Sequence, residues 1–222
     1  MYKKNLLSRI LWAVFVVFAT QTTVFAEPTN LGLEKKNLVE YHDSGAYMAE
    51  IQTVANNASQ YITHEALVNK TSANPKKLAI VLDIDETCLS NYSNMITIDF
   101  ANLPDKILEQ ISAANEPAIQ PMLDLYQKAL HNNIAVFFVT GRDQSLEKAT
   151  IQNLHTAGFE NWSGLTLRHG QIPTIEYKTK ARANIAKQGY TIIASIGDQD
   201  SDLTGGYALQ TFKLPNPYYY LP

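Results

Sequence analysis

The feature that most constrains the fold of this chain is the apolar run Leu78-Ala79-Ile80-Val81-Leu82, which is followed at once by Asp83-Ile84-Asp85. A continuous run of Ile, Val and Leu predicts a parallel strand that is covered on both faces. Ligands of open α/β sheets collect beyond the carboxyl ends of the strands. We therefore expect Asp83 and Asp85 at a reaction site, although a solvated acidic turn is the alternative for so short a motif.

The spacing of these two acids suggests a metal and a reaction. Two carboxylates this close repel each other unless a cation compensates them, and a hard divalent ion with oxygen ligands suits them best. With magnesium bound, one carboxylate can attack phosphorus while its neighbour moves the proton of the leaving group. The pair Asp83 and Asp85 is therefore typical of phosphoryl transfer to an aspartate.

Three further segments extend this pattern. A second apolar run, residues 136–139, ends in Thr140-Gly141-Arg142, and a third, residues 191–196, ends in Gly197 and the acids Asp198, Asp200 and Asp202. Between them, Lys178-Thr179-Lys180-Ala181-Arg182 opens an amphipathic stretch, which places an ammonium group where a helix is expected to begin. The order along the chain is an acid pair, a hydroxyl, a lysine and an acid cluster.

This ordered set of motifs resembles the haloacid dehalogenase superfamily of phosphohydrolases. The runs Asp-Ile-Asp-Glu-Thr-Cys-Leu-Ser-Asn at 83–91 and Gly-Asp-Gln-Asp-Ser-Asp-Leu at 197–203 are similar to its acid phosphatase branch, subfamily IIIB, which holds class B-type acid phosphatases and plant vegetative storage proteins. The segment Phe-Lys-Leu-Pro-Asn-Pro-Tyr-Tyr at 212–219 is similar to the same branch. The resemblance covers the chain from about Tyr41 to its last residue.

The resemblance implies a role for each matched residue. Asp83 is the expected nucleophile, which becomes a phosphoaspartate, and Asp85 the expected general acid and later base. Thr140 and Gly141 are expected to hold the phosphoryl group, and Lys178 to neutralise it together with Asp83. The expected ligands of magnesium are Asp83, the Asp85 carbonyl and Asp198, with Asp202 orienting metal waters or Lys178.

Each of these residues also has an ordinary structural interpretation. Lys180 is a near neighbour of Lys178, and we expect it to face solvent. Thr140 is equally compatible with a core position, and Asp200 with a surface acid. Glu86 and Thr87 are expected to shape the loop, with Thr87 also able to cap the turn and donate to the carboxylate of the nucleophile.

The first 26 residues have the pattern of a secretory signal. Lys3, Lys4 and Arg9 precede the apolar run 10–19, and Val24-Phe25-Ala26 supplies the small residues of a cleavage site. An apolar run of this length is short for a bilayer of ~30 Å. We expect cleavage after Ala26, a periplasmic or secreted protein and no stable membrane anchor, with a retained anchor as the alternative.

The amino-acid composition of the chain limits the partners that it is expected to bind. Three of the 18 Lys and Arg residues lie in the leader, so the remaining 15 face 21 Asp and Glu. An acidic chain without a Lys/Arg cluster lacks the footprint of a nucleic-acid polymer binder. The single cysteine, Cys88, excludes an intramolecular disulfide and is expected to be a buried packing residue.

The hydrophobic pattern predicts one α/β domain over residues 27–222. Helices are expected over residues 33–69, 121–132, 145–157 and 179–188, and strands over 78–82, 136–140, 165–167 and 191–197. This alternation predicts a Rossmann-like three-layer α/β/α sandwich with a parallel sheet. Residues 90–117 are expected to form a small helical cap insertion, and Tyr92, Phe100 and Tyr177 are candidates for stacking a flat leaving group or for ordinary packing.

The main functional hypothesis is a secreted magnesium-dependent acid phosphatase for small phosphomonoesters, among which nucleoside monophosphates are candidates. Three alternatives stay open. They are a catalytically weak storage or binding protein, a phosphotransferase with alcohol acceptors, and a haloacid dehalogenase, against which Asp85 and Asp198 count. The oligomeric state is not predicted.

Overall fold

The computed structural model describes residues 27–221, and these form a parallel sheet with helices on both faces. The five strands are β1 (Lys77–Leu82), β2 (Ala135–Asp143), β3 (Gly164–Arg168), β4 (Tyr190–Gly197) and β5 (Ala208–Lys213). Their order in the sheet is β3-β2-β1-β4-β5, and every neighbouring pair is parallel. The predicted α/β class with a parallel sheet is confirmed.

Residues 27–221 contain eight α-helices. They are α1 (Leu31–Asp43), α2 (Ala46–Thr71), α3 (Tyr92–Thr97), α4 (Pro104–Ser112), α5 (Gln120–His131), α6 (Glu147–Thr156), α7 (Thr174–Lys187) and α8 (Asp200–Leu203). A short 3-10 helix, Gln144–Leu146, precedes α6. Among residues 27–221, no helix combines the length and the apolar character that crossing a membrane requires.

Alternate residues of the central strand face two separate apolar cores. Ile80 and Leu82 pack into the larger core, which is built with α2 and α5. Ala79 and Val81 pack into the smaller core, which is built with α7. Because both faces of β1 are covered, its sequence is a continuous apolar run without polar alternation.

The predicted helix over residues 33–69 is wrong in one respect, since it is two helices. The chain turns between α1 and α2 at Ser44 and Gly45, where Gly45 has φ of +85°. Glycine adopts this left-handed conformation without the steric cost that a Cβ would impose. The apolar periodicity continues across the turn, and for this reason the break was not apparent from the sequence.

Two other boundaries differ from the prediction. Helix α7 begins at Thr174, so Lys178 lies inside the helix and not at its start. Strand β5 was not predicted, because it is an edge strand with mostly exposed side chains and therefore lacks a continuous apolar run.

The segment expected as a cap, residues 90–117, contains the helices α3 and α4. The main chain of Ser90 donates a hydrogen bond to the carbonyl of Pro117 at 3.0 Å, so the two ends of this insertion lie side by side. The predicted leader, residues 1–26, lies outside the described residues.

We expect Ile80→Ala to lower the free energy of unfolding by about 2 to 5 kcal/mol, because a fully buried side chain on the central strand is replaced by a cavity. Urea denaturation measures this change. Leu209→Ala on β5 is the control, since Leu209 is 63% exposed and its loss should change the free energy by less than about 0.5 kcal/mol. Equal effects of both variants would contradict the assignment of β1 to the core.

Candidate active site

Charged side chains from three elements meet beyond the carboxyl end of the sheet. Asp83 directly follows β1, Asp198 directly follows β4, and Lys178 reaches the same place from α7. The main chain of Asp83 donates to the carbonyl of Ile196 at 3.0 Å, which fixes the first acid against the end of β4. Since β1 lies where the strand order reverses, the site occupies the switch point at which α/β sheets bind ligands.

Lys178 joins two buried acids. Its ammonium nitrogen lies 2.7 Å from Oδ1 of Asp83 and forms a second ion pair with Asp202. Burial alone would lower the pKa of Lys178, but Asp83 and Asp202 outweigh it and raise the pKa above its usual range. The two acids therefore favour the charged form of Lys178.

The surroundings of Asp83 disfavour the charged form of its carboxyl group, whereas those of Lys178 favour the charged ammonium. Burial, and then the neighbouring Asp202 carboxylate, raise the pKa of Asp83 well above the usual range, and Lys178 only partly opposes them. Burial and Asp202 also raise the pKa of Asp198. An additional cation beside these acids would favour their ionised forms.

Three carboxylates are close enough to share an ion. Oxygens of Asp83, Asp198 and Asp202 lie within 4.8 Å of one another, and all three residues are buried. With Lys178 at their side, the ionised acids leave a net charge of −2, which a divalent cation balances. An all-oxygen donor set is what a hard ion prefers, so these residues fit a divalent metal.

Asp198 is oriented by three side chains. Its Oδ1 accepts from the hydroxyl of Thr87 at 3.1 Å, and its Oδ2 accepts from Nε2 of Gln199 at 2.6 Å and from Nδ2 of Asn216 at 2.7 Å. The prediction that Thr87 donates to the nucleophile is therefore wrong, since it donates to Asp198. Asn216 was not singled out from the sequence, because it lies 18 residues away and reaches the site only through β5.

Asp85 is held by an arginine that the sequence analysis did not assign. Nη2 of Arg142 lies 2.7 Å from Oδ1 of Asp85, and Nε lies 3.1 Å from both carboxylate oxygens. Burial alone would raise the pKa of Asp85, but Arg142 and the amide of Asn91 outweigh it and lower the pKa. The signal was present in the sequence, because Arg142 directly follows Thr140-Gly141 at a strand end.

Arg142 also connects Asp85 to the insertion. Its Nη2 lies 3.9 Å from Oε2 of Glu116, and both side chains are almost completely buried. Asn153 fixes the backbone of Glu116 through two hydrogen bonds of 3.2 and 2.7 Å. The guanidinium therefore has carboxylates on two sides and a defined position.

Thr140 and Gly141 have different surroundings. Thr140 is fully buried, and its hydroxyl oxygen accepts from the main chain of Arg142 at 3.1 Å. Gly141 lines the cavity that contains Asp83, and a Cβ added there would meet nothing within 4 Å. The backbone of Gly141 is therefore open to a ligand.

Glu86 fixes the loop that follows Asp83. Glu86 has φ of +52° and is buried, and its carboxylate accepts from the Asn91 main chain at 2.7 Å and from the Tyr219 hydroxyl at 2.5 Å. Burial, and then the nearby Asp85 carboxylate, raise the pKa of Glu86 to about 8. The expectation that Glu86 shapes the loop agrees with these contacts.

Tyr92 is not brought to the site as a stacking surface. Its ring is 7% exposed and packs against His42 and Tyr218, and its hydroxyl donates to Asp43 at 2.9 Å. It is absent from the residues that line the cavity. The assignment of Tyr92 to substrate binding is corrected, because α1 covers the ring.

Other predicted positions agree with the structure. Lys180 is exposed and pairs with Glu176 at 2.5 Å, as expected for the lysine that faces solvent. Asp200 is exposed, and Cys88 is a fully buried free thiol in the larger core. Tyr177 is buried and donates to the carbonyl of Thr166 at 2.7 Å, so it is a packing residue.

A cavity of about 470 Å³ opens onto these charged groups. The charged residues that line it are Asp83, Asp85, Glu86, Arg142, Arg168 and Lys178. The other lining residues are Gly141, Thr174, several residues of the insertion between 91 and 111, and residues 218–221. A volume of this size accommodates a small ligand.

Comparisons with known proteins show to which family the chain belongs. The model of acid phosphatases of the haloacid dehalogenase superfamily, subfamily IIIB, matches residues 15–222. Acid phosphatase 1 of Solanum lycopersicum is 35% identical over 194 residues, which cover 82% of this chain and 72% of that protein. Vegetative storage protein 1 of Arabidopsis thaliana is 28% identical over 209 residues, covering 87% of this chain and 77% of the relative.

A solved structure has a similar fold. The class C acid phosphatase from Bacillus anthracis superimposes with a TM-score of 0.68 at 22% identity, covering 85% of this chain and 86% of the other. The same phosphatase with tungstate bound gives a TM-score of 0.67. These matches support the observed architecture.

We expect Asn216→Ala to weaken binding of Mg²⁺ by about 10-fold to 100-fold, because the Asp198 carboxylate loses a hydrogen bond that orients it. Titration calorimetry of the purified protein with Mg²⁺ measures the affinity without any substrate. Asn184→Ala is the matched control, since Asn184 is exposed on the helix that carries Lys178. An unchanged affinity in Asn216→Ala would show that this amide does not position Asp198.

Proposed function

Because this chain belongs to the acid phosphatases of subfamily IIIB of the haloacid dehalogenase superfamily and is a phosphomonoesterase, we propose that it hydrolyses small phosphomonoesters with Asp83 as nucleophile and Mg²⁺ as cofactor. The observation that carries this proposal is the contact of 2.7 Å between Lys178 and Asp83, with Asp198 and Asp202 beside them. One cation and three acids form a site suited to an anionic ester and a divalent ion.

The first half-reaction transfers the phosphoryl group to the protein. A carboxylate oxygen of Asp83 attacks phosphorus as the bond from phosphorus to the ester oxygen breaks. Asp85 donates a proton to that oxygen, so the leaving group departs as a neutral alcohol. The position of Asp85, two residues after the nucleophile and on the wall of the same cavity, supports this assignment.

The second half-reaction restores the protein. Asp85, now a carboxylate, takes a proton from water as the water oxygen attacks phosphorus. The bond between phosphorus and the Asp83 oxygen breaks, inorganic phosphate is released, and Asp83 is again a carboxylate. Each half-reaction needs one proton transfer at Asp85, and the two transfers balance.

Other residues of the site neutralise and hold the phosphoryl group. Lys178 allows the anionic ester to approach the anionic nucleophile, since its point charge faces both. The main chain of Gly141 is open to a phosphoryl oxygen, and the Thr140 hydroxyl keeps its own hydrogen for donation after accepting from Arg142. We assign Gly141 to phosphoryl binding on its place in the cavity wall and Thr140 on its place in the motif.

Magnesium would be held by the carboxylates of Asp83 and Asp198 and by the main-chain carbonyl of Asp85. The side chain of Asp85 is turned to Arg142, which leaves its carbonyl as the donor. Asp202 accepts from Lys178 and from the main chain of Gln199 at 2.9 Å, so we assign it to orienting the lysine and the waters of the metal. The bound ion would stabilise charge on the phosphoryl oxygens.

The storage-protein alternative is favoured by one observation, namely the similarity to vegetative storage proteins. Turnover is supported by the presence in one site of the expected residues, namely Asp83, Asp85, Lys178 and Asp198.

Transfer to an alcohol acceptor uses the same phosphoaspartate and is tested by adding alcohol to the assay. We also propose export and cleavage after Ala26, on the leader pattern of residues 1–26.

We expect Asp83→Asn to lower kcat for p-nitrophenyl phosphate by at least about a thousandfold, because the amide is no nucleophile. Addition of a chelator to the unsubstituted protein should abolish turnover, and Mg²⁺ should restore it. Phosphate release measured beside Asp200→Asn provides the control, since Asp200 is an exposed acid in the segment that carries Asp198 and Asp202. Full activity in Asp83→Asn would exclude the proposed nucleophile.

We expect Lys178→Gln to lower kcat by about 10²-fold to 10³-fold, because the amide lacks the charge that stabilises the transition state. Lys180→Gln should retain the activity of the unsubstituted protein, since Lys180 is exposed and pairs only with Glu176. Steady-state kinetics of both variants distinguish the two lysines. A larger loss in Lys180→Gln would reverse their assignment.

A further inference from the structure

The cavity that contains Asp83 is lined by three cationic side chains, and two of them already have carboxylate partners. Lys178 forms ion pairs with two acids of the site, and Arg142 does the same with two others. Arg168 is the third cation on this wall. Within residues 27–221, its guanidinium group forms neither an ion pair nor a hydrogen bond. Its positive charge is therefore available to a ligand.

Arg168 lies beside the acid cluster and not within it. It is the last residue of β3, at the edge of the sheet where the site lies. In the sheet order, β2 separates β3 from β1, which Asp83 directly follows. Neighbouring strands are about 4.8 Å apart, so the backbone of Arg168 is displaced by about 10 Å from the line of β1. Arg168 and Asp83 thus share a cavity at separate places.

The acid next to Arg168 in the sheet does not neutralise it. Asp143 is opposite Arg168 in the register of β2 and β3, but its exposed carboxylate accepts from the main chain of Ser145 at 2.9 Å. The hydrogen bond from Ser145 is the main cause of the lowered pKa of Asp143, and Arg168 is a minor one. Water screens this exposed charge, so it competes weakly with an anion in the cavity.

The Nε atom of Arg168 points to the kind of ligand. This nitrogen is buried from solvent, and among the residues that the structure describes it has no hydrogen-bond partner. A buried donor without an acceptor is costly, and a ligand that supplies one removes that cost. Carboxylates and phosphates bind arginine through two parallel N–H···O bonds. Such an anion would pair Nε and a terminal nitrogen of Arg168 together.

The phosphoryl group at Asp83 is balanced without Arg168. In the proposed function, Lys178 and Mg²⁺ oppose the charge of the phosphoryl group and of the acids around it. Other polar residues of the cavity wall, such as Asn102 and Tyr220, are neutral. Arg168 is therefore suited to a second negative charge on the same substrate.

We propose that Arg168 determines specificity by binding a second anionic group of the substrate, a carboxylate or a second phosphate, while the phosphoryl ester lies at Asp83. The proposal rests on the proposed function, since it names the substrate class of the same site. One cavity of about 470 Å³ is lined by both residues, so a small molecule can reach both. Phosphorylated hydroxy acids and bisphosphates belong to this class.

Phosphate esters of ω-hydroxy acids, compared with those of the corresponding amides, test the proposal. The members of each pair differ by one negative charge at the distal group, and a series from glycolate to hydroxyhexanoate varies how far that group reaches. At the best length, we expect kcat/KM for the carboxylate to exceed that for the amide by about tenfold to a hundredfold. A ratio near one at every length would overturn the proposal. The same chains ending in a phosphonate show which anion is preferred, and preference for either over the amide supports the proposal.

Substitution of Arg168 locates the effect. In Arg168→Gln, we expect the ratio of kcat/KM for carboxylate over amide to fall at least about tenfold, and Arg168→Lys, which keeps the charge without the planar fork, should lie between. Lys180→Gln is the control and should keep the ratio, because Lys180 is an exposed cation that does not line the cavity. An unaltered ratio in Arg168→Gln would overturn the proposal. If both esters lost activity equally, Arg168 would instead contact the transferred phosphoryl group.

ω-Carboxyalkylphosphonates separate this inference from the proposed function, because their bond from carbon to phosphorus is not hydrolysed. Titration calorimetry in Mg²⁺ should show that they bind more tightly than their amides to the unsubstituted protein, and that Arg168→Gln removes the difference. If no ester is hydrolysed but this difference is present, the catalytic proposal fails and the assignment of Arg168 is supported. If esters are hydrolysed and the carboxylate gives no gain in either assay, only the assignment of Arg168 fails.

Discussion

The ion pairs of Lys178 with Asp83 and Asp202 are the interaction on which the rest of the site depends. Burying a charge is costly unless it is paired, and breaking a buried pair leaves an uncompensated charge. Lys178 comes from α7, Asp83 from the end of β1, and Asp202 from α8 beyond β4. These elements must therefore pack in one arrangement, and that arrangement brings the three acids to the same point.

The backbone near Asp202 is adapted to this cluster. A Cβ at Gly197 would lie 2.3 Å from Cγ of Asp202, so only glycine allows the acid to approach the end of β4. The Asp202 carboxylate also accepts from the main chain of Gln199, and the Ser195 hydroxyl donates to the Asp202 carbonyl at 2.7 Å. Asp202 is thus fixed from both strand and helix, which leaves its ion pair with Lys178 little freedom to move.

A second set of contacts joins the chain end to the site. Asn216 donates to Asp198, Tyr219 donates to Glu86, and the main chain of Leu221 donates to Gln199 at 3.1 Å. Residues 218–221 of this segment line the same cavity as residues of α3 and α4. The residues that orient the Asp198 carboxylate and those that line the cavity therefore belong to one continuous segment, which follows the edge strand β5 directly.

The sequence by itself determined the parallel sheet and the positions of Asp83, Asp85 and Asp198, because apolar runs that end in polar residues report strand ends locally. Lys178 lies inside a helix, and its assignment came from the resemblance of its motif. Only the tertiary structure decided which side chains complete the site. Asn216 acts across β5, Arg142 turns to Asp85 and Glu116, and Tyr92 is covered by α1. These contacts join residues distant in the chain, and no local pattern encodes which partner a polar or aromatic side chain meets once the elements pack.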